Sequence, residues 1–220
     1  MTRGMRALVT GGTGQVGSAI AERLREAGWS VLAAGRADGD IAQPDQAQAL
    51  VGRAVSELGG LELLVNGAGE GFAPRSALEL TEVDWDLAFG ATAKGSFFVT
   101  QAAAPPLRES GGTVLMIEDV AGYQPWPSFA AHCAAKAAQA MLTRVFARAL
   151  APEVRVCGIA PGPVAVAPEQ GERRAAETLL GRVGRPEDVA DAVVFLTGAS
   201  FVTGASLVID GGRLLQSRST

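Results

Sequence analysis

Three side chains able to transfer protons lie close together in the middle of the sequence. Asp119 follows an apolar segment, and His132 and Lys136 come soon after it, four residues apart. Residues at that spacing lie on one face of a helix, so an imidazole and an ammonium group would point the same way. His132 is the only histidine in the chain. The pattern predicts an acid–base site with Asp119, His132 and Lys136 as catalytic residues, against the alternative of a structural histidine.

A glycine-rich turn stands near the N-terminus, between a predicted strand and a predicted helix. It reads Thr10-Gly11-Gly12-Thr13-Gly14-Gln15-Val16-Gly17. Gly11 allows a sharp turn, Gly14 lets the backbone approach a pyrophosphate, and Gly17 lets the helix pack closely on the strand. Free N–H groups and the positive dipole end of the helix favour a phosphate there. The segment predicts dinucleotide binding, although an ordinary flexible turn would have the same glycines.

Two further strand ends carry residues that suit a nucleotide. Arg36 follows the second predicted strand, where an arginine suits the 2′-phosphate of NADP and an acidic residue suits the ribose of NAD. Asp38 and Asp40 lie close by and keep NAD open. The third strand ends at 66–69, where small residues would let an adenosine or ribose lie against the sheet. A turn capped by Asn66 explains that segment equally well. NADP is the predicted cofactor, with NAD less favoured.

The elements that must position these residues alternate along the chain. Short apolar segments predict strands at 6–10, 30–34, 61–65, 113–117, 154–159 and 207–209. Helical spacing of apolar residues predicts helices at 16–27, 44–58, 81–107, 128–151 and 186–196, the third ending near Pro105-Pro106. This alternation predicts an α/β fold: one doubly wound, Rossmann-type domain over residues 1–220, with a parallel sheet and helices on both faces.

Composition and charge exclude several classes of protein. Hydrophobic residues make up 48% of the chain and charged residues 19%, which is ordinary globular usage. The net charge is −4 and no basic run is present, so nucleic acid and membrane surfaces are not expected partners. Cys133 and Cys157 stand far apart without neighbouring ligands, so neither a disulfide scaffold nor a metal site is expected. We expect a cytoplasmic protein that acts on a small molecule.

Taken together, these motifs resemble the short-chain dehydrogenase/reductase family in its compact single-domain form. The resemblance covers nearly the whole chain: the opening at 10–17, the Asn-x-Ala-Gly element at 66–69, Pro161-Gly162, the Gly-Arg-Pro-Glu-Asp-Val-Ala segment at 184–190, and the segment 203–212. It implies a nicotinamide cofactor, and a homodimer or homotetramer built on the two long helices and the last strand.

The resemblance also implies where the active site has changed. The family uses Asn, Ser, Tyr and Lys; here Lys136 is kept, while His132, Asp119 and Thr92 stand at the Tyr, Ser and Asn positions. An Asp for Ser, and Gln15 in place of the middle glycine, are similar to the pteridine-reductase branch. The short segment 36–40 implies that one helix–strand unit of the family is trimmed away.

The implied cofactor contacts form one set, and three functions remain open. The contacts are Thr10, Gly11, Thr13, Gly14, Gln15, Val16, Gly17, Arg36, Asp40, Ile41, Asn66, Ala68, Gly69, Lys136, Pro161, Gly162 and Val164. The first function is an NADP(H)-dependent oxidoreductase that reduces a small, pterin-like carbonyl or imine. The second is a catalytically impaired nucleotide-binding protein, and the third a non-redox acid–base enzyme. The kept Lys136 favours the first, and the missing Tyr favours the second.

Overall fold

A computed structural model describes residues 4–70 and 72–216, which form one parallel sheet flanked by helices. The six strands are β1 (Arg6–Thr10), β2 (Ser30–Ala34), β3 (Leu63–Asn66), β4 (Thr113–Ile117), β5 (Arg155–Pro161) and β6 (Ser206–Ile209). Their order in the sheet is β2-β1-β3-β4-β5-β6. The helices are α1 (Gln15–Glu26), α2 (Pro44–Leu58), α3 (Glu82–Phe89), α4 (Ser96–Ser110), α5 (Ala130–Leu150), α6 (Gly171–Ala175) and α7 (Pro186–Gly198). The predicted fold class is confirmed.

Alternate residues of the inner strands β1, β3, β4 and β5 build two separate cores. On β1, Leu8 belongs to a cluster with side chains of α2, α4 and α5, whereas Ala7 and Val9 belong to a cluster with α1 and α7. Successive side chains of a strand point to opposite faces of the sheet, so a strand buried on both faces is apolar throughout. This explains why the central strands read as continuous apolar runs rather than as alternating patterns.

The sheet ends at β2 on one side, as the short segment after Arg36 predicts. In the described part of the chain β2 pairs with β1 alone. From Ala34 the backbone passes through one 3₁₀ turn, Arg36–Asp38, and enters α2 at Pro44. In the described residues, β2 is therefore the edge strand, and no further helix–strand unit lies outside it.

The long helix predicted at 81–107 is in fact three pieces. Helix α3 is followed by a π-helical segment, Gly90–Gly95, and then by α4, which continues past Pro105 and Pro106 to Ser110. The expectation that the prolines end the helix was wrong. Pro105 is exposed, and so is Gln101, whose carbonyl loses its helical N–H partner, so water can replace the missing bond. Buried Ala103 and Leu107 meanwhile keep the helix packed on the core.

No helix in residues 4–70 and 72–216 combines the length and the apolar character needed to cross a bilayer.

Candidate functional site

The glycine-rich turn after β1 has the tight geometry that its sequence predicts. Gly11 has a φ of +68°, and a Cβ there would lie 2.6 Å from the carbonyl oxygen of Gly67. A Cβ at Gly17 would overlap the carbonyl oxygen of Gly11, so α1 can pack this closely against the turn only because residue 17 has no side chain. Gly14 is exposed, and its Cβ would meet only that same oxygen, at 3.4 Å. The backbone at Gly14 is therefore open to an approaching ligand.

A crevice of about 850 Å³ opens over the carboxyl ends of β1, β2 and β3. Nine of the predicted cofactor contacts line it: Thr10, Gly11, Thr13, Gly14, Arg36, Asp40, Ile41, Ala68 and Gly69. Gln15, Val16 and Gly17 begin α1 beside it, while Pro161, Gly162 and Val164 lie at and after the end of β5. Glu70 and Lys94 also line the crevice, and neither was predicted from the sequence. Ligands of open parallel sheets bind at this edge.

The rim of the crevice carries an ion pair between Arg36 and Glu70. The Arg36 side chain is 85% exposed, so it is free to change partner. Asp38 instead accepts a hydrogen bond from the Gly35 N–H, at 2.7 Å, and pairs with Arg53. These two contacts, the Gly35 bond first, lower the pKa of Asp38 below its ordinary value. The carboxylate that competes for Arg36 is therefore that of Glu70 rather than that of Asp38.

Asp119, His132 and Lys136 are brought together where β4 meets α5. Asp119 follows β4, and its Oδ1 accepts the Ala121 N–H at 2.7 Å. Its Oδ2 lies 3.5 Å from His132 Nε2. His132 is buried, and neither ring nitrogen has a hydrogen-bond partner among the described residues. The imidazole thus stands next to a carboxylate, with both ring nitrogens buried and without a hydrogen-bond partner in the described part of the chain.

Lys136 is buried, and two hydrogen bonds fix its ammonium group. Its Nζ donates to the carbonyl oxygen of Ile117 at 2.7 Å and to Gln139 Oε1 at 3.0 Å, and Gln139 in turn donates to Ser96 Oγ. Burial lowers the pKa of Lys136, and the carboxylates of Asp119 and Glu118 oppose that effect. A Cβ on Gly69 would lie 4.0 Å from Nζ, so the ammonium group borders the crevice residues.

Several buried polar atoms next to the crevice have no partner among the described residues. They include Thr92 Oγ1 and Asn66 Oδ1, besides the two nitrogens of His132. Asn66 does not line the crevice, because its amide nitrogen donates to Thr100 and contacts the sulfur of Met116. Buried polar groups normally find partners. The crevice lining itself, with its glycines, the exposed Arg36 guanidinium and Lys94, fits a polar, anionic nucleotide, whereas no group of three metal-ligating side chains occurs in 4–70 and 72–216.

Glu118 is a buried residue that was not predicted from the sequence. Its carboxylate accepts hydrogen bonds from the hydroxyls of Tyr123, Thr143 and Ser206, at 2.7, 2.7 and 3.0 Å. These donors come from three different parts of the fold, and Glu118 therefore ties β4 to α5 and β6. The one signal in the sequence is an acidic residue directly before Asp119, at the end of an apolar strand.

An aromatic wall extends from His132 away from the crevice. Phe72 meets His132 edge to face at 4.9 Å and stacks on Phe129 at 4.6 Å. Phe129 is followed by Trp126, over whose ring the Arg213 guanidinium lies at 4.7 Å. In a chain with 5% aromatic residues, the cluster of three in 123–129 is the signal that could have found this wall.

Comparison with known proteins identifies the family. The family model described as enoyl-(acyl carrier protein) reductase matches residues 36–213. The 4-formylbenzenesulfonate dehydrogenase of Comamonas testosteroni is 34% identical over 243 aligned positions, covering 94% of this chain and 96% of that protein. The 2-(S)-hydroxypropyl-CoM dehydrogenase 3 of Xanthobacter autotrophicus is 36% identical, covering 79% and 74%. The first alignment is longer than this chain's 220 residues, so that relative contains residues absent here.

The solved structures agree with the sequence comparisons. A short-chain type dehydrogenase/reductase from Mycobacterium marinum superposes with a TM-score of 0.91 at 28% identity, covering 97% of this chain and 96% of the other. Both the matching family model and the relatives above 30% identity extend over most of the chain. The chain therefore belongs to the short-chain dehydrogenase/reductase family of oxidoreductases, whose members bind NAD or NADP.

Proposed function

We propose that the protein is an NADP(H)-dependent oxidoreductase that reduces a small carbonyl or imine through Asp119, His132 and Lys136. The observation that carries the proposal is the convergence of these side chains beside a glycine-lined crevice, with both nitrogens of His132 free of other partners. The relatives named above are dehydrogenases by name and give no support to a non-redox enzyme or a purely binding protein.

In this proposal each residue of the site has a separate task. When bound, the nicotinamide cofactor supplies the two electrons and the hydrogen that the substrate carbon receives. His132 donates a proton to the substrate oxygen or nitrogen, so that the reduction is balanced. Asp119, 3.5 Å away, orients the imidazole. Lys136, fixed by Ile117 and Gln139, places its ammonium group beside the crevice, where it suits the cofactor ribose.

The preference for NADP over NAD rests on Arg36. Its exposed guanidinium can leave Glu70 for a 2′-phosphate, which carries more charge than a single carboxylate and can accept two parallel hydrogen bonds. The carboxylate of Asp38, which would suit the ribose of NAD, is already bound to Gly35 and Arg53.

The substrate class is supported by one relative and limited by the site. The Comamonas protein is named for an aromatic aldehyde, which supports a small carbonyl compound. A pterin-like substrate stays a prediction that rests on the resemblance of positions such as Asp119 and Gln15 to the pteridine-reductase branch. We also keep the proposal of a homodimer or homotetramer. The cytoplasm remains the proposed compartment, since Cys133 and Cys157 are both free thiols.

Oxidation of NADPH in the presence of a panel of aldehydes, quinones and pterins tests the proposal directly. We expect turnover with at least one aldehyde, and we expect Lys136→Met to abolish it and to weaken cofactor binding. Binding of NADPH without turnover of any compound would favour the impaired, binding-only protein. Conversion of a substrate without any change in NADPH would indicate a non-redox enzyme.

A further inference from the structure

A second cavity lies at the far end of the aromatic wall from His132. It has a volume of about 390 Å³, and we call it the arginine pocket. The residues that define it are Trp126, Phe129, Arg173, Arg174, Glu177 and Arg213. Phe129 belongs both to this pocket and to the aromatic wall that contacts His132 through Phe72. The arginine pocket is therefore connected to the proposed proton donor through the rings of Phe129 and Phe72.

The pocket has more positive charge than its own carboxylate can neutralise. Glu177 pairs with Arg174 and with Arg213, each at 3.0 Å. Arg173 adds a third guanidinium to the lining. Three guanidinium groups thus share one carboxylate among the residues that line the pocket, while Asp119 and Asp210 act on Arg213 from outside the lining. The space is concave and partly enclosed, so screening by water is weaker than on an open surface.

The central guanidinium is held in position before any ligand arrives. The Arg213 side chain is 13% exposed, lies over the ring of Trp126 and is fixed by Glu177. Burial has the largest effect on Arg213 and lowers its pKa; the carboxylates of Glu177, Asp119 and Asp210 raise it, and Arg174 lowers it further. A desolvated cation beside a second cation gains from a further anion. A planar group with two oxygens matches the two-pronged geometry of a guanidinium.

We propose that the arginine pocket binds the acidic group of the substrate, and that this substrate is an aromatic carbonyl compound carrying a carboxylate or sulfonate. The anion contacts Arg213 and its neighbours, and the aromatic body lies along Trp126 and Phe129, towards His132. This inference rests on the proposed function, because it assigns a substrate class to the same site.

A matched pair of aldehydes tests the preference. 4-Formylbenzoate and 4-formylbenzamide differ in charge but hardly in shape. We expect kcat/KM to be about tenfold higher for the benzoate, as for one charge-assisted contact. Arg213→Met should remove most of that difference, mainly by raising KM for the benzoate. Arg25 is exposed on α1, so Arg25→Met removes the same charge away from the pocket and should leave kcat/KM unchanged for both aldehydes. Equal kcat/KM values in the wild type would overturn the proposal.

Binding of a compound that cannot be reduced separates this inference from the proposed function. By calorimetry with NADP⁺ present, benzoate should bind more tightly than benzamide. Glu177→Gln, which removes the internal anion, should tighten benzoate binding several-fold, whereas Arg213→Met should weaken it. Opposite effects of two variants cannot come from misfolding. If benzoate binds in this way but no aldehyde is reduced, the pocket stands and the oxidoreductase proposal fails. If aldehydes are reduced but neither variant changes the affinity for benzoate, the oxidoreductase proposal stands and the pocket proposal fails.

Discussion

At the scale of single residues, His132 is the proposed proton donor. General acid catalysis contributes about 10²–10⁴-fold, so His132→Ala should lower kcat/KM by about that factor. His132→Tyr replaces the imidazole by a phenol, which keeps its proton until about pH 10, and should raise kcat/KM at pH 7. An active wild type that is unaffected by His132→Ala would transfer the donor role to Asp119 or to water.

Arg36 and Glu70 give a residue-scale prediction for the cofactor. NADPH should bind more tightly than NADH, and Arg36→Ala should reduce the preference by about tenfold, the usual effect of one charge-assisted contact. Glu70→Gln should have the opposite effect, because it releases the guanidinium of Arg36 from its ion pair. Titration of both cofactors against the three proteins measures this. Equal affinity of the wild type for NADPH and NADH would contradict the prediction.

The buried carboxylate of Glu118 makes Gly158 on β5 a sensitive position. A Cβ at Gly158 would overlap Glu118 Oε1 and lie 2.7 Å from Ser206 Oγ. Gly158→Ala should therefore lower the free energy of unfolding by about 2 kcal/mol, as overpacking does. Gly52→Ala is the matched control. Gly52 is exposed on α2 with nothing within 4 Å of its Cβ position, so this change should stabilise by about 0.5–1 kcal/mol. Thermal melts of both variants should shift in opposite directions.

The residues that the sequence could predict are those tied to a local spacing rule. His132 and Lys136 share a helix face because they are four apart, and Gly11 and Gly17 have their positions from a strand–turn–helix order. Glu70, Glu118 and Arg213 obey no such rule. Their partners come from distant parts of the chain, for example Ser206 for Glu118. Contacts of this kind depend on how strands and helices are stacked, so a single sequence does not reveal them.

At the scale of elements, the N-terminus of α7 links stability to pH. Asp188 accepts the Arg185 N–H at 2.7 Å and pairs with Arg182 at 2.8 Å. The Arg182 contact first, and then the Arg185 bond, lower the pKa of Asp188 below its ordinary 3.8. The unfolded chain therefore holds this proton more tightly than the folded protein. The stabilisation is present above pH 3.8 and is lost as pH falls through the lower, folded value.

Asp188→Asn should remove that contribution, about 1 kcal/mol at pH 7, or about 2–4 °C in Tm for a chain of this size. The difference from wild type should shrink as the pH falls below 4. Glu187→Gln removes a charge from the same first turn and should cost less than half as much, because Glu187 is exposed. Equal losses from the two variants would show that only the helix dipole, and not the Arg182 contact, is involved.

Element boundaries were predictable where a helix-breaking residue and the burial of the helix on the core indicate the same end. Helix α2 begins at Pro44 and ends at Leu58 before a glycine, as predicted, because its first residue needs no N–H partner and Gly59 adopts a φ of +80°. Helix α4 shows the opposite case. Pro105 and Pro106 indicated an end, but burial of Ala103 and Leu107 on the core outweighs the lost hydrogen bonds at an exposed surface. Tertiary packing of this kind overrides a local rule.

At the scale of the whole molecule, exposed apolar side chains support the proposed assembly. Met141 and Val145 on α5 are 52% and 48% exposed, and Leu207 and Val208 on the edge strand β6 are 38% and 41% exposed. Apolar surface on a long helix and an unpaired strand edge both favour association with a second copy.

We therefore expect a dimer or tetramer by light scattering on a sizing column, because a two-fold contact would cover the same patch on both copies. Val145→Glu should shift this equilibrium towards smaller species, since a charge on an apolar surface that becomes covered is desolvated on assembly. Glu172→Gln, a change of the same size on exposed α6, should leave the mass unaltered. The proposed catalytic and cofactor-binding residues all come from one chain, so a variant that dissociates but stays folded should still bind NADPH. A wild type that is monomeric at every concentration would contradict the assembly and leave the site itself untouched.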